Sequence, residues 1–200
     1  EDKNDDEFAR ELASLCDIYI NDAFAVAHRA AASNTAITKY APVSAAGFLL
    51  KNEIEYFNKA MTNPSRPLVA IIGGAKVSDK IKLLENIIDN VDCLLVGGGM
   101  AFTFLKADGF NVGKSICETD MLELARQIMA KAKAKNVRFL LPEDTIIAQA
   151  PSADAERNIV AIKDIPEGWM GLDIGPRTIA AFSEVVSKAK TVVWNGPLGM

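Results

Sequence analysis

The stretch LVAIIGGAKVSDK, residues 68–80, decides the fold of this chain. Its first five residues form a continuous apolar run rich in β-branched side chains, which is typical of a strand buried on both faces of a parallel sheet. Gly73 and Gly74 follow, and glycines at the end of a strand let the backbone approach a ligand closely. The pattern predicts a strand, a glycine turn and the start of a helix.

Two lysines follow this glycine turn. Lys76 and Lys80 are four residues apart, so on a helix they would project from one face about one turn apart. The amino end of that helix would add unpaired N–H groups and a positive dipole end, and the combination predicts a site for phosphate groups. The alternative is an ordinary connecting turn followed by solvated lysines. The spacing excludes a Walker P-loop.

A second strand, glycine turn and helix follow the first. The apolar run Cys93 to Val96 ends in Gly97-Gly98-Gly99, and a helix is predicted from Met100. The amphipathic segment 77–89 between the two units completes a βαβ crossover. Ligands of open parallel sheets bind beyond the carboxyl ends of the strands, so the two turns outline one nucleotide-sized site. The GxGxxG fingerprint is not matched, because Phe102 stands at the third glycine.

The same alternation continues to the end of the chain. The pattern predicts a helix at 118–135, a strand at 137–141, a loop over 143–157, a short strand at 158–162, a helix at 178–189, and a strand at 191–194 that ends in Asn195-Gly196-Pro197. In the first sixty residues, the pattern predicts a helix at 7–15, a strand at 18–20, a turn at 21–24 and an amphipathic helix at 45–59. The fold class is therefore α/β, with a Rossmann-like parallel sheet and flanking helices in three layers.

Composition excludes several classes of protein. Half of the 200 residues are hydrophobic, which is enough for a sizeable core. The net charge of −4 argues against a nucleic-acid surface, which needs a dense basic face. No apolar run approaches the roughly 20 residues that span a bilayer, so no membrane partner is expected. Three cysteines without zinc-type spacing fit reduced thiols in a cytosol.

A candidate anion site also lies near the amino end. Arg29 follows a short predicted strand and could hold a phosphate or carboxylate with its guanidinium. The neighbouring His28 is the only histidine and could act as an acid, a base or a donor. A surface arginine and a structural histidine are the alternative, and the residues alone leave it open.

Six segments together resemble the phosphoglycerate kinase family, in the family's order and over nearly the whole chain. They are INDAFAVAHRA (20–30), AAGFLLKNEIEYF (45–57), RPLVAIIGGAKVSDKI (66–81), LLVGGGMAFTFLK (94–106), GWMGLDIGP (168–176) and VVWNGPLGM (192–200). The resemblance implies a two-lobed enzyme that transfers a phosphoryl group between 1,3-bisphosphoglycerate and ADP, giving 3-phosphoglycerate and ATP in glycolysis. It also implies a carboxyl group as the phosphoryl acceptor, a cytoplasmic location and a monomer.

The resemblance divides the chain into three parts. Residues 1–44 match the carboxyl-terminal part of the substrate-binding lobe, 45–62 match the interdomain helix and linker, and 63–200 match most of the nucleotide-binding lobe. The family's earlier substrate-binding residues and its later magnesium-binding aspartate match nothing in these residues. No metal ligand is therefore predicted among these 200 residues, and Mg²⁺ is expected to arrive bound to ADP or ATP. The fragment alone is expected to be inactive.

The resemblance also assigns roles to single residues. Arg29 matches an arginine that holds the phosphoglycerate. For the implied reaction, the negative charge of a phosphoryl group in transfer favours cationic stabilisation, so Lys80 is expected to contact the nucleotide and the transferred phosphate, and Lys76 to help neutralise the transition state as the second catalytic residue. The residues that match the nucleotide site are Gly74, Ala75, Lys76, Lys80, Gly98, Gly99, Ile116, Gly171, Leu172, Asn195, Pro197 and Leu198. Two alternatives stay open: a non-catalytic module that binds adenine nucleotides, and a nicotinamide-dependent oxidoreductase.

Overall fold

Two short parallel strands organise residues 1–63, the first of two units in the computed structural model, which describes all 200 residues. The strands pair in register from Ile18 with Val43 to Asn21 with Ala46. The elements of this unit are α1 (Asp6–Ala13), β1 (Ile18–Asn21), β2 (Val43–Ala46) and α2 (Phe48–Thr62), with 3-10 turns at Phe24–Val26 and Ala36–Lys39.

The start of α2 differs from the sequence prediction. A helix from residue 45 was expected, but residues 43–46 form β2 and the helix begins at Phe48. The carboxylate of Asp22 explains this boundary, because its Oδ1 accepts a hydrogen bond of 2.9 Å from the backbone N–H of Leu50. A Cβ at Gly47 would lie 2.3 Å from the Asp22 carboxyl carbon, so a larger residue there would displace the carboxylate that bonds to Leu50.

The core of this first unit is small. Its buried cluster consists of Ala9, Ala32 and Ala36, with Tyr40 packed against it. Large apolar side chains of α2 are exposed instead, including Phe48 at 82% and Tyr56 at 73%. A contiguous apolar patch marks an interaction face, but large apolar residues exposed one by one carry no such meaning, so these side chains alone assign no partner.

A four-stranded parallel sheet organises the second unit, residues 64–200. The elements of this unit are β3 (Leu68–Ile72), α3 (Ile81–Ile87), β4 (Cys93–Val96), α4 (Gly99–Ala107), α5 (Leu122–Ala134), β5 (Arg138–Leu140), β6 (Asp144–Ala148), β7 (Arg157–Ala161), β8 (Met170–Ile174), α6 (Pro176–Lys188) and β9 (Thr191–Asn195). The strand order in the parallel sheet is β5-β4-β3-β9. The predicted α/β class with a parallel sheet flanked by helices is confirmed.

Helices cover both faces of the two central strands. Side chains at Leu68, Ala70 and Ile72 of β3 pack into a cluster with α3, α4 and α5. The alternate side chains, Val69 and Ile71, pack with α6 on the opposite face. Successive side chains of a strand point to opposite faces, so a strand buried on both must be apolar throughout.

A second sheet was missed by the sequence prediction. Residues 143–157 were expected to form a loop, but 144–148 form β6, the centre of a three-stranded antiparallel sheet with the order β7-β6-β8. This strand begins with Asp144 and Thr145, which are polar yet buried. Because these two residues are polar, the hydrophobicity pattern does not predict the strand. Buried polar residues need specific hydrogen-bond partners, which such a pattern does not reveal.

The helix after the first glycine turn is shorter than predicted. The amphipathic pattern of residues 77–89 suggested a helix, but α3 begins only at Ile81. Val77 is fully buried in the core, although it lies outside any helix. Val77, whose apolar character suggested an early helical turn, is therefore buried from a loop and not from a helix.

The carboxylate of Asp144 fixes the start of α6. It accepts hydrogen bonds from the backbone N–H groups of Arg177 (2.9 Å) and Thr178 (2.8 Å), and from the Thr178 hydroxyl (2.7 Å). Burial raises the pKa of Asp144, but these hydrogen bonds more than offset burial and hold the pKa below its ordinary value. A strand residue thus caps a helix that follows it by some thirty positions.

Two further sequence observations have structural counterparts. All three cysteines are free, and burial raises the pKa of the Cys93 and Cys117 thiols. None of the helices combines the length and the apolar character that spanning a lipid bilayer requires.

We predict that Asp144→Ala lowers the free energy of unfolding by about 2–4 kcal/mol, since it removes a helix cap and leaves buried donors unpaired. Urea unfolding followed by circular dichroism measures the change. Because the pKa of Asp144 is lowered in the folded state, its stabilising contribution is present above the unfolded pKa and is lost as the pH falls through the folded pKa.

The exposed Asp154→Ala is the matched control and should leave the free energy of unfolding within about 0.5 kcal/mol of the original. An equal effect of the two substitutions at neutral pH would contradict the capping role of Asp144.

Candidate nucleotide site

Three glycine turns meet at one edge of the parallel sheet. Strands β4, β3 and β9 are neighbours and run in parallel, so their carboxyl ends lie side by side. Each strand is followed at once by glycine, at Gly73, Gly97 and Gly196. The predicted common edge for the turns is confirmed.

The turns touch through their backbones. The N–H of Gly73 donates to the carbonyl of Asn195 at 2.9 Å, and the N–H of Gly97 donates to the carbonyl of Ile72 at 3.0 Å. A Cβ at Gly73 would lie 1.9 Å from the Pro197 carbonyl oxygen, and one at Gly196 would lie 2.2 Å from the Gly73 oxygen. No side chain fits between these turns, so glycine is required by contact and not only by backbone flexibility.

Gly98 connects all three turns. Its N–H donates to the carbonyl of Leu198 at 2.7 Å, and its φ of +70° lies in the region that favours glycine. The start of the following helix also bonds to the first glycine turn, because the Met100 N–H donates to the Gly74 carbonyl at 2.9 Å. Helix α4 therefore begins directly against the first glycine turn.

A cavity of about 480 Å³ opens beside these turns. Its lining is mostly apolar, and its volume lies within the range of small-molecule sites. Eight of the twelve residues predicted for the nucleotide site line it: Gly74, Ala75, Gly98, Gly99, Ile116, Gly171, Leu172 and Pro197.

The other four predicted residues lie outside the lining. Leu198 packs into the core beneath Gly97. Asn195 is bound by Lys80, whose Nζ donates to the Asn195 Oδ1 in a short hydrogen bond. Lys76 is exposed in the segment before α3.

The two lysines do not share a helix face, contrary to the prediction. Lys76 precedes the helix, and Lys80 occupies the position just before the first helical residue, Ile81. A single turn, closed by the Lys80 N–H on the Val77 carbonyl at 2.8 Å, separates them. Helix α3 begins seven residues after Gly74, so the positive end of its dipole does not lie at the first glycine turn. The helix that begins at the glycine turns is α4, which follows Gly98 directly.

The far wall of the cavity comes from β8, a strand that the sequence did not predict. A Cβ at Gly171 would lie 2.1 Å from the Phe102 ring, so a larger residue at this point of the wall would displace that ring of α4. The Gly171 N–H donates to the hydroxyl of the buried Ser115 at 2.8 Å. The lining residues missed by the sequence analysis are Lys114, Pro151, Met170, Gly199 and Met200.

Most of these missed residues had a weak signal in the sequence. Met170 and Gly199 are chain neighbours of predicted site residues, and Lys114 precedes Ile116 by two positions. Pro151 had none, because it belongs to the segment that was expected to be an unstructured loop.

An acidic side chain lies beside the lysine segment. The Glu118 carboxylate accepts hydrogen bonds from both the N–H and the hydroxyl of Ser78, at 3.1 and 2.5 Å. Burial raises the pKa of Glu118, but the bonds from Ser78, a backbone bond from Val77 and the charge of Lys76 together hold the pKa below its ordinary value. The group is therefore ionised at neutral pH.

The candidate substrate arginine, Arg29, belongs to the first unit. Arg29 is exposed, and its guanidinium takes part in none of the ion pairs of the chain. Its backbone is held by Asn34, whose amide nitrogen donates to the carbonyls of Arg29 (2.5 Å) and Val26 (3.0 Å). The neighbouring His28 is also exposed.

Comparison with known proteins identifies the family. A sequence model of the family described as phosphoglycerate kinase matches residues 1–200. The chain belongs to the phosphoglycerate kinase family. It is 58% identical over 200 residues to a phosphoglycerate kinase of Geotalea uraniireducens and 57% identical to one of Prosthecochloris aestuarii, covering 100% of this chain and 50% of each relative.

Solved structures of the family have the same fold. A phosphoglycerate kinase from Coxiella burnetii matches with a TM-score of 0.78 and 48% identity, covering 100% of this chain and 51% of that one. One from Pyrococcus horikoshii matches with a TM-score of 0.74 and 27% identity over 98% of this chain and 51% of that one. The chain thus spans about half the length of the phosphoglycerate kinases that it matches. The family leaves no support for the nicotinamide-dependent alternative.

We predict that Gly196→Ala costs about 1–3 kcal/mol more free energy of unfolding than Gly168→Ala. Both glycines have a φ of +86°, but a Cβ at Gly196 meets the Gly73 carbonyl, whereas nothing lies within 4 Å of one at Gly168. The pair separates the cost of contact from the cost of the backbone conformation, and urea unfolding of the two variants measures the difference. Equal costs would mean that the turns do not depend on close contact.

Proposed function

We propose that the whole protein carrying this chain is a phosphoglycerate kinase that transfers a phosphoryl group between 1,3-bisphosphoglycerate and ADP, giving 3-phosphoglycerate and ATP. The acceptor in the reverse direction is a carboxyl group. The observation that carries the proposal is the cavity beside three adjoining glycine turns, in a chain of this family.

The cavity suits an adenine nucleotide. Its apolar part, near Ile116, Gly171 and Leu172, offers a slot for a flat base. Gly74 and Ala75 also line the cavity, and the backbone of this glycine turn can approach phosphate groups closely. The contact between Lys80 and Asn195 holds an ammonium group near the carboxyl end of β9, so the proposed phosphate positions lie next to a fixed cation.

Charge determines the proposed mechanism. A phosphoryl group in transfer spreads negative charge over its equatorial oxygens, between two partners that are already anionic. Catalysis then consists mainly of positioning and cationic stabilisation, and no covalent enzyme intermediate is needed. We assign these roles to Lys76 and Lys80. Mg²⁺ enters as part of the nucleotide substrate, and no group of three acidic, histidine or cysteine side chains in the chain could hold a metal ion.

The acid substrate is assigned to the first unit. We propose that Arg29 holds the phosphoglycerate, because its guanidinium is exposed and outside the ion pairs of the chain, while its backbone is fixed by Asn34. A planar guanidinium can bind a phosphate or a carboxylate with two parallel hydrogen bonds. We further propose a cytoplasmic location, since free thiols are typical of a reducing compartment, and a monomer by resemblance to the family.

A non-catalytic nucleotide-binding module is the second candidate for the 200 residues taken alone. The cavity is built entirely from the second unit, whereas large apolar side chains of the first unit are exposed. The chain also spans only half of its relatives. Binding of a nucleotide without turnover would fit these features.

We predict that these 200 residues bind Mg·ADP but do not form ATP, whereas the whole polypeptide does both. Calorimetric titration with Mg·ADP measures binding, and a coupled assay with 1,3-bisphosphoglycerate measures ATP formation. Clear turnover by the 200 residues would contradict the division into a binding part and a larger catalytic whole. Absence of ATP formation by the whole polypeptide would overturn the proposed activity itself.

We predict that Lys76→Ala and Lys80→Ala, made in the whole polypeptide, lower kcat about a hundredfold or more and weaken Mg·ADP binding much less. A group that stabilises charge developing only in the transition state affects turnover more than ground-state binding. Steady-state kinetics and calorimetry give the two values.

Lys82→Ala is the matched control, because Lys82 is an exposed lysine of α3 outside the site. It should leave kcat and nucleotide affinity unchanged. Equal losses of turnover and affinity in the Lys76 and Lys80 variants would count against a transition-state role.

A further inference from the structure

The segment that carries the two lysines has few supports of its own. Residues 75–80, here called the lysine loop, lie between β3 and α3 and belong to neither. Inside the loop, the Lys80 N–H bonds to the Val77 carbonyl, and the Val77 side chain is buried in the core. With so few internal bonds, the position of the loop depends on outside contacts, and one of these is the hydrogen bond from Lys80 at its end to Asn195.

Glu118 supplies a second outside contact, at the centre of the loop, with both carboxylate oxygens. Its Oε2 accepts the Ser78 N–H at 3.1 Å, and its Oε1 accepts the Ser78 hydroxyl at 2.5 Å. Ser78 lies midway between the two lysines in the chain. A two-point bond at the centre of the loop restricts both its distance from Glu118 and its orientation.

Glu118 is itself attached to the cavity wall. Its N–H donates to the hydroxyl of Thr103 at 3.1 Å, and Thr103 is 1% exposed on α4, the helix that begins in the glycine turns. Two residues before Glu118, Ile116 lines the cavity. The carboxylate therefore joins the lysine loop to the elements that shape the cavity.

The negative charge of the Glu118 carboxylate is unfavourable near bound phosphate groups, because like charges repel. It forms no ion pair within 4 Å with either lysine, since the ion pairs of the chain involve other residues. Both of its oxygens are instead occupied by Ser78 donors. These contacts indicate that Glu118 holds the loop in place. They do not indicate direct pairing with the charge of either lysine.

We propose that Glu118 is a positioning residue, which fixes the lysine loop through Ser78 so that Lys76 and Lys80 keep a constant position relative to the cavity. The proposal rests on the proposed function, because it assumes that the lysines meet the phosphates of a nucleotide. Glu118 touches neither nucleotide nor substrate in this role, and its effect is transmitted through the loop.

The test compares Glu118→Ala, Glu118→Gln and the matched control Glu123→Ala in the whole polypeptide. Glu123 is an exposed glutamate on α5, paired only with Arg126. The measurements are kcat and the dissociation constants of adenosine and of Mg·ADP. Adenosine probes the cavity without the phosphate contacts, so it separates loss of the lysine loop from a general loosening of the site.

For Glu118→Ala we expect kcat to fall about tenfold to a hundredfold, as for a misplaced catalytic group, and Mg·ADP binding to weaken severalfold. Adenosine binding should change less than twofold. Glu118→Gln should keep most of the kcat, because the amide oxygen can accept the Ser78 N–H while the amide nitrogen donates to the Ser78 hydroxyl. Glu123→Ala should match the original protein in all three measurements.

Three outcomes would overturn the proposal. These are an unchanged kcat in Glu118→Ala, an equal loss of adenosine and Mg·ADP affinity, and a Gln variant as inactive as the Ala variant. Should Glu118→Ala fail to fold, Ser78→Ala replaces it, since this change removes only the hydroxyl bond and should give a smaller loss of kcat with adenosine binding intact. An original protein that bound neither adenosine nor Mg·ADP would overturn the proposed function, and this inference with it.

Discussion

The candidate site depends on one constraint, the direct backbone contact of three glycine turns at the carboxyl edge of the parallel sheet. A Cβ at Gly73 or Gly196 would overlap a carbonyl of the neighbouring turn. Because these turns touch without side chains between them, the cavity beside them has a floor of fixed backbone. The position of this floor then follows from strand register, with Ile72 opposite both Val96 and Asn195.

This constraint also explains why the lysines lie on a loop. The carbonyl of Gly74 accepts the Met100 N–H in the first turn of α4, so the first glycine turn is bonded to α4 and does not open a helix of its own. The chain instead continues as a loop, buries Val77, and starts α3 only at Ile81. The loop leaves Lys80 free to reach Asn195 on a neighbouring strand end, at the cost of needing an external support such as Glu118.

The sequence predicted the central strands within a residue, because burial on both faces leaves only apolar residues over 68–72 and 93–96. It also predicted eight of the residues that line the cavity, through glycine turns and family resemblance. It missed β6 and β8, whose positions depend on antiparallel pairing and on buried polar contacts between distant residues. Periodicity reports which face is apolar, but it contains no information on which distant group will satisfy Asp144.

That missed carboxylate influences the site through a chain of contacts. Asp144 caps α6, and α6 packs Phe182 and Val185 against the face of β3 that carries Val69 and Ile71. The helix then leads directly into β9, the strand that ends in Gly196. The position of the third glycine turn is thus determined from both ends, by pairing with β3 and by the capped start of α6. A buried polar residue outside the cavity lining therefore supports the cavity floor through α6, in addition to the support from the apolar core.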